Sequence, residues 1–238
     1  MKKHLFTLII SISIINLYSC RKGEHDPFLS LRSRKARLCG EWKVTQEIER
    51  DYDSYKPQGY GAPWYIMEKN YIFDGTIKTG TFHYKGLTLL QNSQGEMYGQ
   101  EYDQTGETTP QNYTESYSFE KNNAFYFNHL SIDNSTINYS GKWAFLPKED
   151  YEKYSLYESL KNKEAILITL TEYSSTNSNG IINPVFPEYF KKKIVFLIDR
   201  LTNKQTILNY ESKNQSGPTY YNSPYHSSTS KTITLELK

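Results

Sequence analysis

In the stretch EIERDYD, acidic residues stand at every second position: Glu47, Glu49, Asp51 and Asp53. Carboxylates are hard oxygen ligands for calcium, and a suitably spaced pair can act as the acid and base of glycoside hydrolysis. A calcium loop also needs a glycine-turned run of staggered ligands, and none accompanies these four. Their spacing is that of one face of a strand, which reads as a solvated outer face. His25, His83, His129 and His226 do not combine with a second ligand type at zinc-site spacing. The zincin, redox, hydrolase-elbow and phosphate-loop motifs are all absent. The residues thus predict no catalytic, metal or cofactor site, with a glycan-directed hydrolase as the catalytic alternative. Tyr60, Trp64 and Tyr65 in PQGYGAPWY, and Tyr220, Tyr221 and Tyr225 further on, are the aromatic candidates. Loop aromatics can stack on sugars or build a partner patch, and tyrosines also suit strand ends and wet surfaces.

The elements that would carry these residues are strands. The chain has 22 tyrosines, and Thr, Ser and Asn are frequent, a composition that favours strands and turns. From Trp42 the set Trp42, Val44, Gln46, Ile48 alternates with the acidic set, so the first set is expected to face inward. Asp74-Gly75 is a strong hairpin signal. Lys121-Asn122-Asn123 and Thr202 to Lys204 mark two further turns. Ile137, Tyr139, Gly141, Trp143 and Phe145 share one face, as do Ile233, Leu235 and Leu237. Tyr151, Tyr154, Leu156 and Leu160 predict one short helix near 149–161. Polar stretches near 91–112, 174–188 and 212–230 read as long loops. The pattern is all-β and antiparallel, a barrel or a β-sandwich.

The N-terminus has a different character. Lys2 and Lys3 precede an apolar run from Leu5 to Leu17. As a helix that run reaches roughly 20 Å, short of the ~30 Å hydrocarbon core, so it reads as a signal peptide. It ends Leu17-Tyr18-Ser19-Cys20, which resembles the lipobox of bacterial lipoproteins, with Leu17 and Ser19 matching and Tyr18 larger than usual. The resemblance implies removal of residues 1–19 and acylation of Cys20. Multiple acyl chains, as in that family, anchor firmly, whereas a single chain holds only marginally. No later segment is apolar enough to span. Residues 20–37, including the basic RSRKARL, read as a lipidated flexible tether, and 38–238 as the β domain.

The whole chain carries 28 Lys+Arg and 26 Asp+Glu, and losing Lys2 and Lys3 leaves the charges balanced. Balance argues against a nucleic-acid partner and against a polybasic membrane footprint. With Cys20 acylated, Cys39 has no intrachain disulfide partner and is expected to be buried.

LCGEWKV opens the first strand with Gly40-x-Trp42. This resembles the start of lipocalins and of the lipocalin-like domains of bacterial lipoproteins. The segments FDG, GKW and IDRLTNKQTIL are similar to the hairpin rhythm of such domains. The resemblance implies an up-and-down barrel with Gly40 and Trp42 at its closed end, Trp42 being structural. It also implies a membrane-anchored envelope lipoprotein that takes a small apolar or aromatic ligand. The alternative is an interaction lipoprotein meeting an envelope protein or glycan through Tyr-rich loops. No aspartate follows Cys20, which favours the outer membrane of a Gram-negative cell by the same resemblance.

Overall fold

Asp74 shows how the turns are made. Its Oδ1 accepts from the backbone N–H groups of Thr76 (2.9 Å) and Ile77 (2.8 Å) and from the Thr76 hydroxyl (2.8 Å). The Ile77 and Thr76 donors hold this carboxyl below its ordinary range. Gly75 takes φ +95°, which a Cβ would oppose. The predicted turns at Asn123 (φ 71°) and Thr202–Lys204 are also present. In the second, the Thr202 hydroxyl accepts from Lys204 and Gln205 N–H groups at 3.2 and 2.9 Å.

The computed structural model describes residues 33–55, 63–154, 164–180, 182–184, 192–216 and 225–238. A short helix, α1 (Arg34–Leu38), precedes the strands. The first seven strands are β1 (Gly40–Tyr55), β2 (Trp64–Phe73), β3 (Ile77–Gln91), β4 (Met97–Glu107), β5 (Gln111–Phe119), β6 (Ala124–Ser131) and β7 (Thr136–Phe145). A 3-10 turn at Lys148–Tyr154 follows, and then β8 (Glu164–Thr176), β9 (Ile182–Pro184), β10 (Lys192–Leu201), β11 (Gln205–Ser216) and β12 (Tyr225–Leu237).

Every pairing is antiparallel. The order β10-β11-β12-β1-β2-β3-β5-β6-β7-β8 closes through a β8–β10 pairing into a ten-stranded up-and-down barrel, the lipocalin-like architecture. A sandwich is thereby excluded. At one end Gly40–Lys43 pairs directly with Ser116–Phe119, leaving the β2–β3 hairpin out of the ring. That end is an eight-stranded ring, the size that side chains can just fill, while the other end is wider. Beyond the ring, β1, β2, β3, β11 and β12 run on as an apron, with β4 added at the edge of β3.

The narrow end is filled. Trp42, Phe73, Phe119, Ile166, Ile168, Leu208, Ile233 and Leu235 are almost wholly buried there. Phe119 meets Trp143 edge-on at 5.6 Å and Phe125 at 5.4 Å, contacts that each add about 0.5–1.5 kcal/mol beyond area burial. Helix α1 plugs this end. Ser33 caps it, Leu38 enters the core, and Arg37 donates to the Leu201 carbonyl at 2.7 Å.

Several expectations are corrected. Met97–Glu107 is strand β4, paired with β3 along Thr81–Gln91, and not part of a loop over 91–112. Strands β8 and β9 take up parts of the predicted 174–188 loop, and β11 and β12 take up parts of 212–230. Alternating Gly and polar residues hid β4, whose glycines Gly99 and Gly106 lie under Leu87 and Phe82 of β3 and whose Tyr102 lies over Gly86. Residues 34–37 are helix anchored to the barrel, because Arg34 pairs with Glu164 and Arg37 is buried; they are not tether. The helix expected near 149–161 begins as a 3-10 turn that lays Tyr151 on the outer face of β8 and β10 with Leu146, Ala165 and Val195. Residues 155–161, with Leu156 and Leu160, lie outside the described residues, as do the signal peptide and Cys20.

Candidate functional site

The site begins with a bulge. Between Val44 and Gln46 the pairing of β1 with β12 slips by one residue. Side chains alternate across a strand, so one extra residue moves everything after it to the opposite face. Trp42 and Val44 point inward, and after Thr45 the acidic set points inward too. Glu47 is 2% exposed, whereas Ile48 is 39% exposed. The expected solvated acidic face is therefore corrected: Glu47 and Glu49 lie inside the barrel, and Asp51 and Asp53 continue the row up the apron.

Inside, these acids meet lysines from two other strands. Lys231 of β12 lies 3.0 Å from Glu47 Oε1 and 3.4 Å from Glu49 Oε2. Lys78 of β3 pairs with Glu49 and lies 3.8 Å from Glu47. Two carboxylates and two ammoniums form a charge-balanced box, in which Glu47 Oε2 is buried without a hydrogen-bond partner among the described residues. Burial raises the Glu47 carboxyl, aided by Glu115 and Glu49 and opposed by Lys231. At Glu49 burial pushes upward as well, but Lys231 and Lys78 outweigh it and lower the group. For Lys231 the burial penalty is outweighed by Glu47 and Glu49, so its ammonium is raised.

The box extends toward β5 and β6. Phe73 stacks on Tyr113 at 4.5 Å, and Tyr113 sits 4.5 Å from the His129 ring. His129 bonds Glu115 through Nδ1 at 3.0 Å and the Ser131 hydroxyl through Nε2 at 3.1 Å. The histidine partner sought among sequence neighbours comes instead from the facing strand. His83, in the middle of β3, pairs with Asp103 of β4 at 2.7 Å.

Beside the box lies a cavity of about 250 Å³ within the barrel. Phe125, Phe127, Ile168, Ile194, Phe196 and Ile233 supply apolar walls. Tyr117, Tyr139 and Tyr210 add phenols, and Lys192 and Lys231 add ammoniums. The eight-stranded end is filled, and this space opens where the barrel widens. A second cleft of about 560 Å³ shares Tyr210 and Lys231 with it. It lies where β10 and β11 separate, past their Leu197–Asn209 pair.

On the apron, the inner wall continues as a tyrosine row across four strands. Tyr55, Tyr65, Tyr84 and Tyr102 follow one another at 6.1, 6.1 and 4.9 Å. Tyr102 covers Gly86, where a Cβ would come 2.2 Å from its oxygen. Burial, a hydrogen bond with Tyr84 and the neighbouring phenols push the Tyr102 hydroxyl up to about 12.

Of the residues singled out from sequence, Trp42 is wholly buried at the closed end, and its Nε1 donates to the Leu38 carbonyl at 2.7 Å. Gly40, at φ +155°, has Leu237 Cδ1 2.6 Å from where a Cβ would stand. Neither lines the cavity. Tyr65 joins the tyrosine row, whereas its neighbour Trp64 points to the opposite face of β2, so the two do not form one contact. Tyr60, Tyr220 and Tyr221 lie outside the described residues. Cys39 is a free, half-buried thiol packed against the core, raised by burial despite Lys35 and Lys121. Among the described residues no group of three metal-ligating side chains gathers, and no helix is long and apolar enough to cross a membrane.

Sequence reasoning missed the cavity and the box. One signal was present: Lys231 is in phase with Ile233 and Leu235, a lysine in an inward-facing set. No family model, curated protein or solved structure gives a significant match to this chain.

Proposed function

We propose that this chain is a membrane-anchored envelope lipoprotein whose barrel binds a small apolar or aromatic ligand. The observation that carries the binding reading is the 250 Å³ cavity walled by phenylalanine, isoleucine and tyrosine. A cavity of about 150 Å³ accepts one benzene, and drug-sized pockets begin near 300 Å³. One or two fused rings, or a short alkyl chain, match this space. Anchoring rests on the lipobox-like Leu17 to Cys20, and the outer membrane of a Gram-negative cell is the proposed site. A second reading is an interaction lipoprotein that meets a protein or glycan through aromatic residues, and the tyrosine row from Tyr55 to Tyr102 favours it.

The test is native mass spectrometry of wild-type chain purified from membranes, beside Cys20→Ala. Acyl mass on wild type alone, with a non-covalent passenger of a few hundred daltons, is expected. Acyl mass with an empty barrel would move the weight to the interaction reading. Absence of acyl mass would overturn the anchoring.

A further inference from the structure

Strand β4 is held on one side only. Met97–Glu107 pairs along its whole length with β3, and no described strand pairs with its other side. Hydrogen-bonded and non-bonded pairs alternate along an antiparallel ladder. This ladder is fixed at both ends: the Asn92 N–H donates to the Glu96 carbonyl at 2.9 Å, and the Thr108 N–H to the Gly80 carbonyl at 2.8 Å. In the unbroken register between them, Tyr98, Gln100, Tyr102, Gln104 and Gly106 are the residues that bond to β3. Met97, Gly99, Glu101, Asp103, Thr105 and Glu107 therefore turn their N–H and C=O groups to the free edge. Such an edge is a template for another strand, and proteins ordinarily blunt it with lysine, proline, a bulge or a short strand. Strand β4 is eleven residues long, contains no lysine, arginine or proline, and runs without a register shift.

What this edge carries instead is acid. Glu101, Asp103 and Glu107 occupy outward-bonding positions, share one face of the strand and are exposed. His83 and Lys85 partly neutralise Asp103, whereas Glu101 and Glu107 make no ion pair among the described residues. A second copy of the strand would set these like charges against one another, which opposes self-pairing. We infer that the free edge of β4 is a docking strand for an extended protein segment with lysine or arginine at alternate positions. The partner's cations would stand opposite Glu101, Asp103 and Glu107, and its other side chains would lie beside Tyr98 and Tyr102 on the opposite face. Main-chain bonds give such strand addition its affinity, and the alternating side chains give it specificity. This goes beyond both readings above. It uses neither the cavity nor the lipid anchor, and stands or falls apart from them.

The experiment compares a short fluorescent peptide of alternating lysine and valine with its twin carrying glutamate for lysine. The protein is the full chain in phosphatidylcholine nanodiscs, with empty nanodiscs as reference, read by fluorescence anisotropy and by hydrogen exchange. Wild type is expected to bind the lysine peptide at least tenfold more tightly than its twin. Bound peptide should protect the amides of Gly99, Glu101 and Thr105, which face the free edge. Thr105→Pro removes one outward N–H and leaves the ladder to β3 intact, a place where an edge strand tolerates proline. It should lower the affinity at least tenfold. Glu101→Gln combined with Glu107→Gln keeps every backbone donor and should weaken the lysine peptide severalfold without moving the urea midpoint. Equal or absent binding of the two peptides would overturn the inference, as would lysine-peptide binding that leaves those amides unprotected. Protection of the same amides in a concentration-dependent dimer without peptide would overturn it in favour of a second copy.

Discussion

Lys231 Nζ lies 3.0 Å from Glu47 Oε1 inside the barrel, on strands whose direct register places Lys231 opposite Glu49. The lysine thus serves two carboxylates at once, one across the ladder and one on the diagonal. Both acids reach it only because the bulge at Thr45 turned their face inward. A buried ion pair adds little net stability over an apolar pair, but removing one partner strands the other.

Lys231→Met should therefore cost about 3–5 kcal/mol at neutral pH. The loss should depend on pH with a definite sign. Burial already raises Glu47, so the folded state favours its protonated form. The cost of its ionisation is absent below the unfolded value and grows as pH rises through the raised folded one. The deficit of Lys231→Met should be smaller at pH 5 than at pH 7.5 in urea denaturation. Pairing it with Glu47→Leu should recover much of the loss. A deficit that is the same at both pH values would refute the assignment of Glu47 as the stranded group.

The bulge also explains what was legible in the sequence. The hairpins at Asp74-Gly75, Asn122-Asn123 and Thr202–Lys204 were readable because turn chemistry is local. So was the inward phase of Ile233 and Leu235. The interior ion box was not, because one extra residue at Thr45 reverses a long pattern and leaves no mark in composition. Strand β4 escaped for the opposite reason. Its glycines, Gly99 and Gly106, lower strand propensity, and the side chains that cover them, Leu87 and Phe82, come from β3. Trp42 was legible in two ways: its alternation with Val44 gave the inward phase, and the Gly-x-Trp resemblance to lipocalins implied the closed end. The cavity depends on where the ring widens from eight strands to ten, a property of pairing and not of any one segment.

Backbone proximity makes a second test. A Cβ on Gly141 would stand 2.1 Å from the Thr169 carbonyl oxygen and 2.9 Å from the Leu170 Cα, at the bulge between β7 and β8. These are main-chain atoms of a paired strand and cannot step aside. Gly141→Ala should cost about 1–3 kcal/mol or more, the range for overpacking. Gly99→Ala is the control, because there the neighbour is the far end of the Leu87 side chain at 2.9 Å. It should lie within about 0.5 kcal/mol of wild type, as ordinary surface changes do. Parallel urea titrations decide it; equal costs at the two positions would show that β7 and β8 are not so closely paired at Gly141.

The closed end offers a third. Trp42 is wholly buried, and its indole N–H donates to the Leu38 carbonyl at 2.7 Å, tying strand β1 to the last turn of α1. Trp42→Ala should cost about 3–5 kcal/mol through the cavity it leaves. Trp42→Phe separates the two roles of the residue. It keeps most of the apolar bulk and removes the donor, leaving the Leu38 carbonyl unpaired in the core, a loss of about 1–3 kcal/mol. Because that bond joins α1 to the barrel, the phenylalanine variant should also lose hydrogen-exchange protection at the amides of Arg37 and Cys39, which bond back to Ser33 and Lys35. The barrel strands should keep theirs. If Trp42→Phe unfolds at the wild-type urea midpoint with α1 protection intact, the indole bond does not hold the plug in place, and burial of Leu38 alone must do so.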